Sequence, residues 1–250
     1  MSNILIEFQS PAGDKLRSYN RSLPASQQPS SIAATFCDSM AVRELVFVNE
    51  MEAVPLVHHI DTDDARSCHW VLYSSSPNSS NENPKIKPKP IGTIRLVPFP
   101  HYPHHQPGAG YDPPAEDVPV DESYTFFSKS PPAYAVDRAT SLHDGREPFL
   151  KLGRLCVVKE FRAKRLADQL VQMALKWAGE NPISIDGIPK WNGLVCIHAQ
   201  EKAVSMWQRN GFVVDEGLGT WFEAGIRHYG MFTRVKVKNQ EILMDGHYGT

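Results

Sequence analysis

The chain has 250 residues, 41% hydrophobic and 22% charged, with a formal net charge of −2. That length allows one domain, or two small ones, with room to bury a sizeable core. The near-neutral balance weighs against a dedicated nucleic-acid binder, which needs a clustered positive field, and no apolar run approaches the roughly 20 residues of a membrane helix. The opening MSNILIEFQSPAGDK turns acidic and polar where a secretion signal continues its apolar stretch. Four scattered cysteines, Cys37, Cys68, Cys156 and Cys196, form no CxxC pair and show no zinc-type spacing. Cys156 and Cys196 lie inside apolar runs, where cysteine acts as a small hydrophobe. A soluble, cytoplasmic protein is expected, with neither nucleic acid nor membrane as partner.

Along the chain, Ile32 to Met51 spaces apolar residues (Met40, Leu45 and Val48 among them) at helical intervals, so much of it is expected to be helix. HWVLY, from Cys68 onward, and IGTIRLVPF, from Ile91, are strand candidates. Thirteen of the twenty prolines fall between Ser74 and Pro132. Two stretches, about 74–90 and 98–148, read as insertions into a smaller framework. The first is a flexible excursion in composition, and the second holds little helix and no central strand. Leu150 to Val158 ends as a buried strand. Lys164 to Ala178 is an amphipathic helix with Leu166, Leu170, Met173, Ala174 and Trp177 on one face. Gly193 to His198 is the next buried strand, EKAVSMWQRN a short helix ended by Gly211, and the tail from Phe212 to Val237 holds two strand-like pieces around Gly225. The pattern is mixed α/β, a single domain over 1–250.

The chemistry sits on the strand, basic loop and helix LCVV-KEF-RAKRLA-DQLVQMALKWA. A helix start offers unpaired N–H groups and partial positive charge, a seat for an anion. Arg162, Lys164 and Arg165 add full positive charge there, against a dipole that disfavours each by up to about 1 kcal/mol. An anionic ligand such as a pyrophosphate accounts for the cluster, and a solvated basic helix start is the plain alternative.

The stretch Leu155 to Leu170 resembles motif A of the GNAT superfamily of acyl-CoA-dependent N-acyltransferases, V-x-x-x-x-[RQ]-x-x-G-x-[GA]. Val157 or Val158 fits the strand end, Arg162 the [RQ] and Ala167 the last small position, while Arg165 and Ala163 stand where glycine is usual. HAQEKAVSMWQRNGF, from His198 to Phe212, resembles motif B. VRELVFVNEMEAVP, followed by Asp61, Asp63, Asp64 and His69, is similar to the opening of ElaA-like members. Glu223-Ala-Gly-Ile-Arg-His228-Tyr-Gly-Met231 is similar to their E-x-G-I-x-H-x-G-M segment.

The resemblance implies a strongly twisted mixed sheet flanked by helices, in which two strands, here Leu150–Val158 and Gly193–His198, splay around acetyl-CoA. It implies that the pantetheine arm pairs along Leu155, Cys156, Val157 and Val158. The pyrophosphate would sit on the loop Arg162, Ala163, Lys164, Arg165, Leu166, Ala167 and Asp168, with Trp207 and Arg209 nearby. Arg165 can donate its N–H there if its φ is negative. The acceptor would be a primary amine, of a small molecule in preference to a peptide or protein. A larger cavity beside Cys156 and Cys196 would take a longer acyl chain. The departures at Ala163, Arg165 and Trp207 leave a CoA-binding regulatory or scaffold protein as the alternative, and a homodimer stays open.

Where the family often has a tyrosine that protonates the thiolate, this chain has Trp207, whose indole N–H is not a usable acid. Water, the thiol's own proton balance or Tyr229 would substitute. The attacking amine must be neutral, so a base or a water relay is expected, from His228, His198 or Glu50. The histidine run HYPHH (His101, His104, His105) lacks a neighbouring carboxylate or cysteine, so no metal site is expected there. Asp61, Asp63 and Asp64 lack the glycine and glutamate of a calcium loop; the resemblance implies a place near the acceptor side, where they would favour a positively charged amine.

Overall fold

The computed structural model describes residues 4–74, 88–115 and 131–238. Ser75 to Lys87, within the first expected insertion, and residues 116–130 of the second lie outside them. The strands are β1 (Ile4–Gln9), β2 (Cys68–Ser74), β3 (Lys89–Val97), β4 (Gly110–Tyr111), β5 (Leu150–Val157), β6 (Leu194–Gln200), β7 (Val213–Val214), β8 (Thr220–Glu223) and β9 (Ile226–Arg234). They form one mixed sheet in the order β1-β2-β3-β5-β6-β9-β8-β4, with β7 on β9. The helices are α1 (Ala34–Arg43), α2 (Leu166–Glu180) and α3 (Val204–Arg209).

Strand alternation divides the sheet into two faces. Gly92 of β3 lies against Leu170 of α2, where an added Cβ would come within 3.3 Å of the Leu170 side chain. Leu96 of the same strand shares that face, as do Leu152, Ile197 and Met231, which lie in register with Leu96 across the sheet. Arg95, Lys151, Cys196 and Phe232 point the other way, toward α1 and the second insertion. That insertion is packed rather than loose in its described parts. His104 stacks on Phe149 at 5.2 Å and meets Phe232 edge-on. β4 pairs with β8 in parallel at the sheet's far edge.

Sequence and structure part company in two elements. The first long helix ends at Arg43 and continues as a π-type turn, Glu44–Glu50, in which Met51 N–H donates to the Val46 carbonyl at 2.9 Å. The wider turn brings Val46 inward and leaves Leu45 47% exposed. β1 was not expected as a strand; it pairs antiparallel to β2 and sets the Phe8 ring against Trp70 and Trp177.

A buried ion network locks α1 to the sheet. Arg43 holds Asp64 at 2.7 Å, and Arg95 bridges Asp64 (2.8 Å) and Asp61 (2.6 Å). Arg154 reaches Asp61 at 2.7 Å. The aspartates expected near the acceptor side are therefore committed to arginines, Asp63 to Arg66 at 2.8 Å. Burial opposes ionisation of Asp64, but Arg43 and Arg95 outweigh it and hold the carboxyl well below the usual range.

Candidate active site

β5 and β6 run parallel and pair only at Leu150↔Val195, Lys151↔Cys196 and Leu152↔Ile197. Beyond that point β5 continues to Val157 and β6 to Gln200, so the strands diverge and leave a split. β5 turns away at a bulge opposite Thr93 and Arg95, where Arg154 takes φ 51°. Leu155, Cys156 and Val157 thus run along the split, while Val158 donates back to the Ile91 carbonyl at 2.9 Å.

After Val158 the chain makes one short turn and enters α2 through Ala163 and Arg165, both at φ 60°. The condition of a negative φ at Arg165 is therefore not met. The residue stands in the left-handed region that favours glycine, at a cost of about 1–2 kcal/mol for each such non-glycine residue. No side chain caps α2, whose first N–H groups have no partner within the helix. Left-handed residues before an uncapped helix start gather N–H groups into a concavity suited to an anion.

A cavity of about 340 Å³ opens there. Val157, Arg162, Ala163, Arg165, Leu166, Ala167, Asp168 and Arg209, all among the candidate cofactor residues, line it together with Phe161 and Met206, which sequence reasoning had not singled out. Lys164 turns to the Glu160 carbonyl (3.2 Å) and over the Phe161 ring. Trp207 is buried against Phe212 and does not line the cavity. Asp168 accepts from Asn210 (2.9 Å) and Arg209 (3.4 Å), which ties α2 to α3. Cys156 and Cys196 are buried and lie outside this cavity too.

The four candidate catalytic residues divide among three places. Glu50 sits at the cofactor loop, held by both Nη atoms of Arg162 at 2.6 Å, and this hydrogen bonding lowers its pKa. Tyr229 lies on the α2 face, its hydroxyl 3.3 Å from Glu201. His198 and His228 share the opposite face. His198 is the first residue of β6 past the last β5 pair, at the mouth of the split. Burial, and then Lys151, push its pKa down to about 3, so at neutral pH it is uncharged and a weak base. His228 is buried and donates from Nδ1 to the Ile226 carbonyl at 2.8 Å, which leaves Nε2 as a proton acceptor.

The structure adds Glu223 and His105 to this face. Glu223 Oε1 receives the Trp221 indole N–H at 2.7 Å and lies 3.1 Å from His198 Nδ1 and 3.4 Å from His105 Nε2. Burial opposes its ionisation, but the hydrogen bonds from His105 and His198 hold it below the ordinary carboxylate range. Glu223 opens the E-x-G-I-x-H block and was visible there. His105 was one of three loop histidines with nothing in the sequence to choose among them. Gly230 of that block is required on steric grounds, because a Cβ at this position would collide with Leu218.

No family model matches the chain. Over 146 residues it is 30% identical to L-ornithine N(alpha)-acyltransferase of Rhizobium meliloti (strain 1021), a match covering 56% of this chain. It spans only 40% of that relative's length. Among solved structures, an acyl-CoA N-acyltransferase from Pseudomonas aeruginosa aligns with TM-score 0.46 and 14% identity, over 92% of this chain and 99% of that one. Escherichia coli ElaA aligns with TM-score 0.45 and 16% identity, over 92% and 100%. The chain is thus similar over part of its length to a curated acyltransferase, and it aligns at low identity with solved N-acyltransferases, ElaA among them.

Proposed function

We propose that the chain is an acyl-CoA-dependent N-acyltransferase that moves an acetyl group from acetyl-CoA to a primary amine of a small molecule, by direct transfer in a ternary complex. One observation carries this reading. The uncapped start of α2, with Arg162 and Arg165, opens a cavity beside a parallel strand pair that has separated. The backbone N–H groups of Ala163 to Asp168 suit a pyrophosphate, and the free edge of β5 suits an extended amide-bearing arm. The amine then approaches from the face of His198 and His228.

In the reaction the neutral amine nitrogen bonds to the thioester carbonyl carbon and the carbon–sulfur bond breaks. His228 Nε2 takes the proton that nitrogen must lose, directly or through one water. The sulfur leaves as thiolate and is protonated to the free thiol. Trp207 cannot supply that proton, whereas the Tyr229 hydroxyl lies on the cofactor face. His198, a weak base held by Glu223, positions groups around the split and does not accept the proton.

The buried Trp207 in place of a family acid favours one second reading, a CoA-binding protein with little turnover. Thiol release from acetyl-CoA, followed across a panel of small amines, separates the two. The panel should include the α-amine of ornithine, as the curated relative's name suggests, together with amino sugars and a peptide N-terminus. Release above the hydrolysis background with any one small amine is the expected outcome. Release with none of the panel, alongside intact cofactor binding, would establish the second reading.

A further inference from the structure

The histidine run of the second insertion looked unsupported in sequence, but the fold supplies it with a carboxylate. We propose that His105, His198 and Glu223 form a binding site for one zinc-class divalent cation, with an open coordination position toward the acceptor face. Ligand atoms of a tetrahedral zinc, each about 2.0–2.1 Å from the metal, lie about 3.3 Å apart. Here Glu223 Oε1 is 3.1 Å from His198 Nδ1 and 3.4 Å from His105 Nε2, and all three ligand atoms lie within 4.8 Å of one another.

The surroundings are built to hold this arrangement. Trp221 donates to the carboxylate and packs its ring edge-on to His198 at 4.6 Å, so both ligands are fixed from behind. His105 stacks on Tyr111 at 3.9 Å. Its loop is stapled to the sheet by Arg138, which donates to the His105 carbonyl at 3.0 Å, and by Gly108 N–H, which donates to the Thr220 carbonyl at 2.7 Å. Two imidazoles and one carboxylate suit zinc over calcium or magnesium. Three protein ligands leave a fourth position, and solvent reaches it because the His105 and Glu223 side chains are 29% and 35% exposed. Binding requires each ring to carry its single proton on the nitrogen away from the cation. A neighbouring set, His104, Cys196 and His198, shares one ligand. It is less suited, because Cys196 is fully buried and burial pushes its thiol up to about 12.

This site shares His198 and Glu223 with the acceptor face but does not rest on the acyl-transfer reading, and it is tested without an activity assay. The full chain, stripped with a chelator, is titrated with Zn²⁺ against a chromophoric competitor, and with Co²⁺ followed by its visible d–d absorption. The expected result is one ion per chain, with Kd at about 1 µM or below and a four-coordinate Co²⁺ spectrum. His105→Ala and Glu223→Gln should each weaken binding by about a hundredfold or more. His101→Ala, in the same run but bonded to the Phe149 carbonyl at 2.9 Å, should leave it unchanged. His105 lies on a loop, so its variant remains informative even if Glu223→Gln does not fold. Absence of binding at about 100 µM Zn²⁺, or equal affinity in His105→Ala, would overturn the assignment.

Discussion

Asp64→Asn should destabilise the protein by about 3–5 kcal/mol, the cost of removing one partner from a buried ion pair and leaving the other uncompensated. The side chain is fully buried and accepts from Arg43 through both oxygens, at 2.7 and 3.1 Å, while Oδ1 also holds Arg95 at 2.8 Å. An amide of the same shape keeps the packing and removes the charge, so Arg43 loses its ion pair with Asp64. Arg95 retains Asp61. Chemical denaturation checks this, and a loss below about 1 kcal/mol would mean that the arginines are satisfied without the carboxylate.

Acid should act on the same region in two steps. Burial, the largest cause, depresses both His59 and His69 from 6.5 to about 4. Between those values the unfolded chain binds protons that the folded chain refuses, so stability falls as pH falls from 6.5 to 4. Asp64 has a folded pKa below its ordinary value of 3.8. Its contribution is present in full above that value and disappears as pH falls through the folded pKa. Asp64→Asn should therefore shrink the second step, to which Asp61 also contributes, and retain the first.

His228→Ala should lower kcat by about a hundredfold or more, the usual scale for losing a positioned general base. Acetyl-CoA affinity should change little, because the residue lies on the sheet face away from α2 and its cavity. Its Nδ1 is already committed to the Ile226 carbonyl, so the lost function is that of Nε2. Steady-state kinetics together with cofactor titration of the variant separate the two effects. A kcat equal to that of the unchanged chain would remove His228 from the mechanism.

The site's frame was legible in sequence because its signals are local. The apolar run ending β5, the helical period of α2 and the run of β6 each specify an element on their own. The basic residues at the start of α2 marked the cavity that the fold places there. What was missed depends on geometry that no window of residues contains. The sign of φ at Arg165 belongs to the path of the whole turn between β5 and α2, which residue type alone does not specify. Leu45 and Val46 exchange places because the turn after Arg43 widens to a π-type spacing, a change the apolar pattern of Ile32 to Met51 does not distinguish from a regular helix. His105 and Glu223 meet only because a proline-rich loop is stapled across β8, a contact between residues far apart in the chain. The acidic trio read as an acceptor-side attraction, yet Asp61 and Asp64 are consumed by arginines from three other elements.

The central claim is that the start of α2 holds the pyrophosphate of acetyl-CoA, and a calorimetric titration of the purified chain tests it most directly. One site with Kd at or below tens of micromolar, about −6 kcal/mol or better, is the expected result. Arg165→Glu, which reverses a charge lining the cavity, should weaken that binding about tenfold. Heat absent at millimolar acetyl-CoA would contradict the claim, and the split strands would then be a fold without its cofactor.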